Sequence, residues 1–410
     1  MIANQNMAAG RWLSVIGIGE DGLDGLGVEA RRRIAEAEIV FGGKRHLALA
    51  ATEITGESRP WPSPFDSEMQ AVLALRGKKV CVLASGDPFL YGVGTTLARH
   101  VPAGEMHVIP APSAFSLAAG RLGWALPEIE TVSLHGKAIS LIRPLLHPGT
   151  RILALTSDSD APGKIANYLT ELGFGLSRLT ILEALGGRDE RLTTMRADHV
   201  MPERINPLNV LAIELASAGP IGMTSLSSGL PESLFEHDGQ LTKREIRAVT
   251  LSSLAPLRGE LLWDIGAGSG SIAIEWMLRH PSMRAIAVES NGERAERIGR
   301  NATTLGVPGL VVAKGTAPEA LTGLPAPDAI FIGGGGSEPG VMGAAIASLK
   351  PGGRLVANAV TLEMEAVLIA RHAALGGELI RLAVSRAAPV GTMTGWRPAM
   401  PVTQWIWKKP

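Results

Sequence analysis

The sequence predicts an α/β protein of two successive domains, each built on parallel sheet covered by helices. Three observations carry that prediction. Short apolar, β-branched runs alternate with helical patterns along both halves. Glycine takes 49 of 410 positions, about one in eight, which signals tight turns and ligand loops. The alternation breaks once, in the stretch ASAGPIGMTSLSSGLPESLFEHDGQ that starts at Ala216. The boundary is expected near residue 225, giving a first domain over 11–216, a linker over 217–235 and a second domain over 236–410.

In chain order, strands are expected at 13–16, 39–41, 80–84, 107–109, 152–156 and 210–215, each a short apolar run bounded by turn residues. Helices between them include 28–37 and 164–172. After the break, a helix over 241–254 leads into strands at 261–265, 285–289, 310–314, 329–332 and 353–357, again with helices between. Glycine-rich loops follow these strands, at the edge where open α/β sheets bind ligands.

Hydrophobic residues make up 46% of the chain and mean hydropathy is +0.18, enough for a core in each domain. Lys plus Arg equals Asp plus Glu at 39 each, so no global basic field draws nucleic acid or an anionic membrane. Cys81 is the single cysteine and sits in the apolar run 80–84, where an inert buried thiol is expected. The start MIANQNMAAG lacks a basic and then apolar leader, and no apolar run approaches the roughly 18 residues that span a bilayer. The expectation is a soluble, cytoplasmic protein. No Cys/His cluster suggests a metal site.

The clearest chemical signal is LLWDIGAGSGSIAIEWM, a strand followed by Gly266, Gly268 and Gly270 and then a helix. Such glycines let backbone approach a ligand closely beside a helix start. The spacing is GxGxG; a dinucleotide loop would carry its third glycine at position 271, which is Ser271. Asp264, ahead of the loop, would repel a pyrophosphate and accept from an ammonium. Glu289, ending the next strand, suits both hydroxyls of a ribose.

These features resemble a class I S-adenosylmethionine-dependent methyltransferase with a Rossmann-like fold. The resemblance extends through Gly315-Thr316-Ala317, which implies Thr316 and Ala317 beside the adenine, and through PDAIFIGGGG and LKPGGRLVANAV, which wall the site. With LTKREIRA upstream, the pattern is similar to the CbiT-type subfamily, which acts on a precorrin. That implies a cofactor contact for Thr242, which also reads as a helix cap forming a capping box with Glu245.

In the first half, WLSVIGIGEDG formally fits GxGxxG through Gly17, Gly19 and Gly22, an opening for a NAD-binding oxidoreductase. The expected helix starts only near Val28, so no helix N-terminus meets the loop. The segments VIGIGEDG, SGDPFLYG, IPAPSAFSLA and LTSD follow in the order and spacing of the tetrapyrrole (corrin/porphyrin) methyltransferases, and GGKRHL is similar to their CbiE branch. The resemblance implies a two-lobed fold with the cofactor in the cleft. It places Gly17 and Gly19 along the substrate trough and Gly86, Asp87, Tyr91, Ser113, Thr156 and Ser157 around the cofactor.

A CbiE-like half followed by a CbiT-like half resembles the fused precorrin-6Y C5,15-methyltransferases (decarboxylating). That implies one S-adenosylmethionine site per domain, methylation at C5 by the first domain, and methylation at C15 with loss of CO2 from the C12 acetate by the second, giving precorrin-8. A cobalt-loaded tetrapyrrole of the anaerobic route is the alternative substrate, and a non-catalytic binding module is the reading from another class. The many carboxylates of a precorrin make Lys44, Arg45, Arg386 and Arg397 candidate substrate cations. The same resemblance implies a homo-oligomer, dimeric through the first domain and tetrameric through the second. No residue is singled out as a catalytic acid.

Overall fold

The computed structural model describes residues 10–217 and 223–410. The chain divides into two compact units, Met1–Lys137 with His147–Gly222, and Ala138–Leu146 with Met223–Pro410. Of the stretch expected as linker, 218–222 lie outside the described residues. From Met223 on the chain belongs to the second unit, and Leu230 and Phe235 are buried in its core.

The first unit contains two five-stranded sheets. The first lobe runs β1 (Leu13–Ile18), α1 (Val28–Ala35), β2 (Ile39–Gly42), α2 (Lys44–Leu49), β3 (Glu57–Pro60), α3 (Gln70–Leu73), β4 (Val80–Ser85), α4 (Val93–Leu97) and β5 (Met106–Ile109). Its order is β3-β2-β4-β1-β5 and every pair is parallel. All six residues of β1 are buried, because both faces of this inner strand are covered.

The second lobe runs α5 (Ala114–Leu122), β6 (Glu130–Ser133), β7 (Arg151–Leu155), α6 (Ala161–Glu171), β8 (Arg178–Glu183), β9 (Arg191–Arg196) and β10 (Asn209–Glu214). Its order is β6-β7-β10-β8-β9, and only β6 pairs in parallel. The expectation of parallel sheet fails for this lobe. The pattern RLTTMR of β9, mostly exposed at the sheet edge, carries none of the continuous apolar signal that marks a buried strand.

The second unit runs α7 (Arg244–Leu254), β11 (Leu261–Ile265), α8 (Ser271–Met277), β12 (Arg284–Glu289), α9 (Gly292–Thr304), β13 (Val311–Lys314), β14 (Ala329–Ile332), α10 (Val341–Ser348), β15 (Arg354–Ala359) and α11 (Leu362–Leu375). It ends in β16 (Glu378–Leu382), β17 (Ser385–Val390), β18 (Met393–Pro398) and β19 (Val402–Lys408). The sheet order is β13-β12-β11-β14-β15-β19-β16, antiparallel only where β19 joins its neighbours. β17 and β18 form a separate hairpin across a turn with Gly391 at φ 59°. Two apolar layers flank this sheet, one holding Trp276 and Leu262, the other Trp263, Trp405 and Ile330. No helix among the described residues is long and apolar enough to cross a membrane.

Candidate functional site

The turn after β11 builds the site in the second unit from backbone. Gly266, Gly268 and Gly270 have φ of 69°, 60° and 78°, a region L side chains rarely adopt. A Cβ on Gly266 would also lie 2.5 Å from the Gly334 carbonyl oxygen, so the loops after β11 and β14 touch backbone to backbone. β11 and β14 are neighbours although β12 and β13 intervene in sequence, which makes this the point where strand order reverses. Open α/β sheets bind ligands there. A cleft of about 740 Å³ opens at it.

Two acidic side chains reach the cleft from adjacent strands. Asp264 is 1% exposed; its Oδ2 accepts from the Ala273 N–H at 3.0 Å, while Oδ1 has no partner. Burial pushes this carboxyl up to about 7, opposed by the Ala273 N–H and reinforced by the charge of Glu289. Glu289 closes β12 and accepts from the Gly268 N–H at 2.8 Å and the Asn291 N–H at 2.9 Å. A buried carboxylate oxygen without a partner suits a cationic or donating ligand. These residues fit the ammonium and ribose of S-adenosylmethionine.

Thr242, Thr316 and Ala317 line the same cleft. Gly270 does not; it packs against Ile298, whose Cγ2 would lie 2.8 Å from a Cβ there. The expected capping box does not form, since Lys243 is the N-cap of α7 and makes no side-chain cap bond. Glu245 is taken instead by Arg386, and the Thr242 carbonyl accepts from Arg247. Arg386 lines the cleft, whereas Arg397, opposite it in the hairpin, does not.

Sequence reasoning missed two features here. Arg247 and Glu275 form an ion pair with no exposed surface on either side chain. Glu275 also accepts from the N–H groups of Gly229 and Leu230 at 2.7 and 2.9 Å, and Arg247 donates to the Leu230 carbonyl. The pair thus pins the segment ahead of α7, part of the cleft wall, to α8. Glu275, the one charge within SIAIEWM, was the available signal. Asn358 also lines the cleft, and its signal was a polar residue inside the apolar run LVANA of β15.

In the first unit, a Cβ on Gly17 would lie 1.8 Å from the Gly86 carbonyl oxygen and 2.5 Å from the Ala111 nitrogen. Gly19 has Asp21 Oδ1 at 2.5 Å from the same construction, and Gly86, at φ 54°, lies against the Pro112 carbonyl and the Ser113 backbone. Gly17, Gly86 and Ser113 therefore meet where β1, β4 and β5 end. Asp87 Oδ1 accepts from the Phe89 N–H at 2.8 Å, holding a turn. Tyr91, 52% exposed at φ 56°, sits edge-on to Phe115 with Lys137 Nζ 5.5 Å from its ring centre. Ser113 caps α5 by accepting from the Ser116 N–H at 3.1 Å.

The remaining predicted cofactor residues of this unit are engaged within the chain. Thr156 is buried and bonded to Asn209; Ser157 Oγ accepts from the Gly136 N–H and donates to the Leu134 carbonyl. Both stand at the end of β7. A short 3-10 turn over Gly22–Gly25 and then α1 at Val28 follow β1, so no helix start faces Gly17 and Gly19. Lys44 is exposed. Arg45 pairs with Glu20 and reaches Ser85. His46 Nε2 lies 2.8 Å from Ser85 Oγ, and burial with the Arg45 charge pushes its imidazole down to about 4. It is a packed, neutral histidine at neutral pH.

Residues 13–200 match the family described as Tetrapyrrole (Corrin/Porphyrin) Methylases, and residues 233–409 match the Precorrin methyltransferase domain. A protein of Sinorhizobium sp named Precorrin-6Y C(5,15)-methyltransferase (decarboxylating) is 62% identical over 398 residues, covering 97% of this chain and 96% of the relative. The chain belongs to this precorrin-6Y methyltransferase family. Two separate proteins of Salmonella typhimurium each match part of it. One, named Cobalt-precorrin-7 C(5)-methyltransferase, is 31% identical over 46% of this chain and 95% of its own length. The other, named Cobalt-precorrin-6B C(15)-methyltransferase (decarboxylating), is 33% identical over 40% of this chain and 85% of its own length. Membership of an enzyme family, together with the missing helix start after Gly17 and Gly19, sets aside the dinucleotide and non-catalytic readings.

Proposed function

We propose that the chain methylates precorrin-6Y at C5 and C15 and removes CO2 from the C12 acetate, giving precorrin-8 in cobalamin biosynthesis. The observation that carries this reading is the near full-length likeness to a decarboxylating C5,15-methyltransferase, joined to a cleft whose acidic residues suit the cofactor. We assign C15 methylation and decarboxylation to the second unit and C5 methylation to the first, each with its own S-adenosylmethionine site. The separate half-length relatives support that division.

S-adenosylmethionine, when bound, supplies the methyl group. In the second unit Asp264 would hold the ammonium and Glu289 the ribose, with Thr242, Thr316, Ala317 and the loop of Gly266 and Gly268 completing the pocket. In the first, Gly86, Asp87, Tyr91, Ser113, Thr156 and Ser157 form the corresponding group, beside Gly17 and Gly19. Transfer to a ring carbon is an in-line displacement, so the chain's work is to hold the acceptor at attack distance. Decarboxylation leaves an electron pair that the conjugated macrocycle absorbs. Arg386 at the cleft of the second unit, and Lys44 and Arg45 in the first, would meet the substrate's carboxylates, whereas Arg397, off the cleft, is not assigned that role.

The enzyme is further proposed to act in the cytoplasm as a homo-oligomer, dimeric through the first unit and tetrameric through the second. The exposed Val390, Met393 and Trp396 of the terminal hairpin support an interface there. Product mass from precorrin-6Y and S-adenosylmethionine tests the reaction. Two added methyls with one CO2 lost are expected from the full chain, and Glu289→Ala, which removes the proposed ribose contact, is expected to suppress the C15 methylation. Cobalt-loaded substrate run alongside decides between the metal-free and anaerobic routes. Unchanged precorrin-6Y, despite bound S-adenosylhomocysteine, would overturn the proposal.

A further inference from the structure

A chain of polar side chains, buried at Thr250 and Gln404 and half-buried at Ser253 and Asn358, ends in the cleft of the second unit at Asn358. Thr250 and Gln404 have no exposed surface. Gln404 Nε2 donates to Thr250 Oγ1 at 3.1 Å and to Asn358 Oδ1 at 2.8 Å, and Ser253 Oγ donates to Gln404 Oε1 at 2.8 Å. Asn358 Nδ2 donates to Thr250 Oγ1 at 3.0 Å. The network joins α7 to β15 and β19, where Asn358 and Gln404 are register partners. Apolar residues of similar shape would hold these three elements together at no comparable desolvation cost. What the polar set adds is orientation. The Asn358 amide is fixed, with its oxygen on Gln404 and one N–H on Thr250. An amide nitrogen carries two hydrogens, and Asn358 lines the cleft, so one N–H is left to donate to an occupant.

Strand order says which occupant. Asp264 and Glu289, the cofactor-side carboxylates, stand on β11 and β12; Asn358 stands on β15, beyond β14. At roughly 4.8 Å between strands, Asn358 is about 10 Å from the strand of Asp264 and about 14 Å from that of Glu289. It lies past the contact between Gly266 and Gly334, on the side away from the ribose-binding carboxylate.

We infer that Asn358 is a specificity-determining residue of the second unit, donating its free amide N–H to a carboxylate arm of the methyl-accepting tetrapyrrole, and that Gln404 is the residue that positions it. This rests on the proposed assignment of the second unit to a precorrin.

The test uses the full chain with precorrin-6Y, following CO2 loss by product mass for kcat and KM, and S-adenosylhomocysteine binding by calorimetry. Asn358→Asp keeps the size and the contact with Gln404 while replacing the NH2 group, both the free N–H and the one donated to Thr250, with oxygen; at pH 8 its KM for precorrin-6Y is expected to rise more than tenfold. Asn358→Ala, which removes the donor without adding charge, is expected to raise KM about tenfold, the scale of one hydrogen bond to a charged group. Gln404→Met is expected to raise KM severalfold. In all three, S-adenosylhomocysteine affinity stays within twofold of wild type, which a merely structural role for the network would not produce. Unchanged KM in both Asn358 variants, or loss of S-adenosylhomocysteine binding in step with KM, would overturn the inference. A wild-type chain that binds S-adenosylhomocysteine but leaves precorrin-6Y intact would overturn the functional reading beneath it, a result distinct from any variant effect.

Discussion

Replacing Arg247 with Met isolates what the buried ion pair contributes to the cleft wall. The substitution leaves the Glu275 carboxyl without its guanidinium partner in a site with no exposed surface, still accepting from the N–H groups of Gly229 and Leu230. It also removes the donors to the Thr242 and Leu230 carbonyls. Breaking one partner of a buried pair costs about 3–5 kcal/mol. In a unit of this size each kcal/mol lowers the melting temperature by about 2–4 °C, so the expected fall is about 6–20 °C. Scanning calorimetry of the full chain reads it, with the transition of the first unit as internal reference. The double variant Arg247→Met with Glu275→Met removes both charges and is expected to recover part of the loss, because no uncompensated charge remains. A fall of less than about 3 °C, or a double variant less stable than the single, would refute the reasoning.

Asp264 gives a pH signature. Its carboxyl is raised from an ordinary 3.8 to about 7, so the stability it contributes is fully present below the unfolded value and is lost as pH rises through about 7. Stability of the ligand-free second unit is expected to decline from pH 5 to 7, by up to about 1.4 kcal/mol per pH unit, and Asp264→Asn to flatten that slope. Affinity for S-adenosylhomocysteine should rise over the same window as the carboxylate ionises against the ligand's ammonium; a flat profile from pH 5.5 to 8 would count against it. Gly17→Ala puts a Cβ 1.8 Å from the Gly86 carbonyl oxygen, so a drop of several degrees confined to the first unit's melting transition is expected. Burial holds the Cys81 thiol at about 12, and a thiol reagent at pH 8 is expected to label it only after denaturant opens the first unit. Rapid labelling of the native chain would contradict that.

The sequence by itself was enough for the parts of this protein whose signal is local. β1, β4, β11 and β14 are buried on both faces and therefore read as continuous apolar runs. The loop of Gly266 and Gly268 with Asp264 and Glu289 could be read because each sits within a few residues of a strand end. The pairing of β8, β9 and β10, the terminal hairpin and the true cap of α7 were not legible, since half-exposed edge strands and one-residue shifts leave weak patterns. Tertiary structure alone decided the partners. Arg247 meets Glu275 across 28 residues, Glu245 meets Arg386 across 141, and Gln404 orients Asn358 across 46. Periodicity reports which face of an element is buried, but not which polar side chain from a distant strand will stand opposite it. That choice is made only when the sheet's register is set.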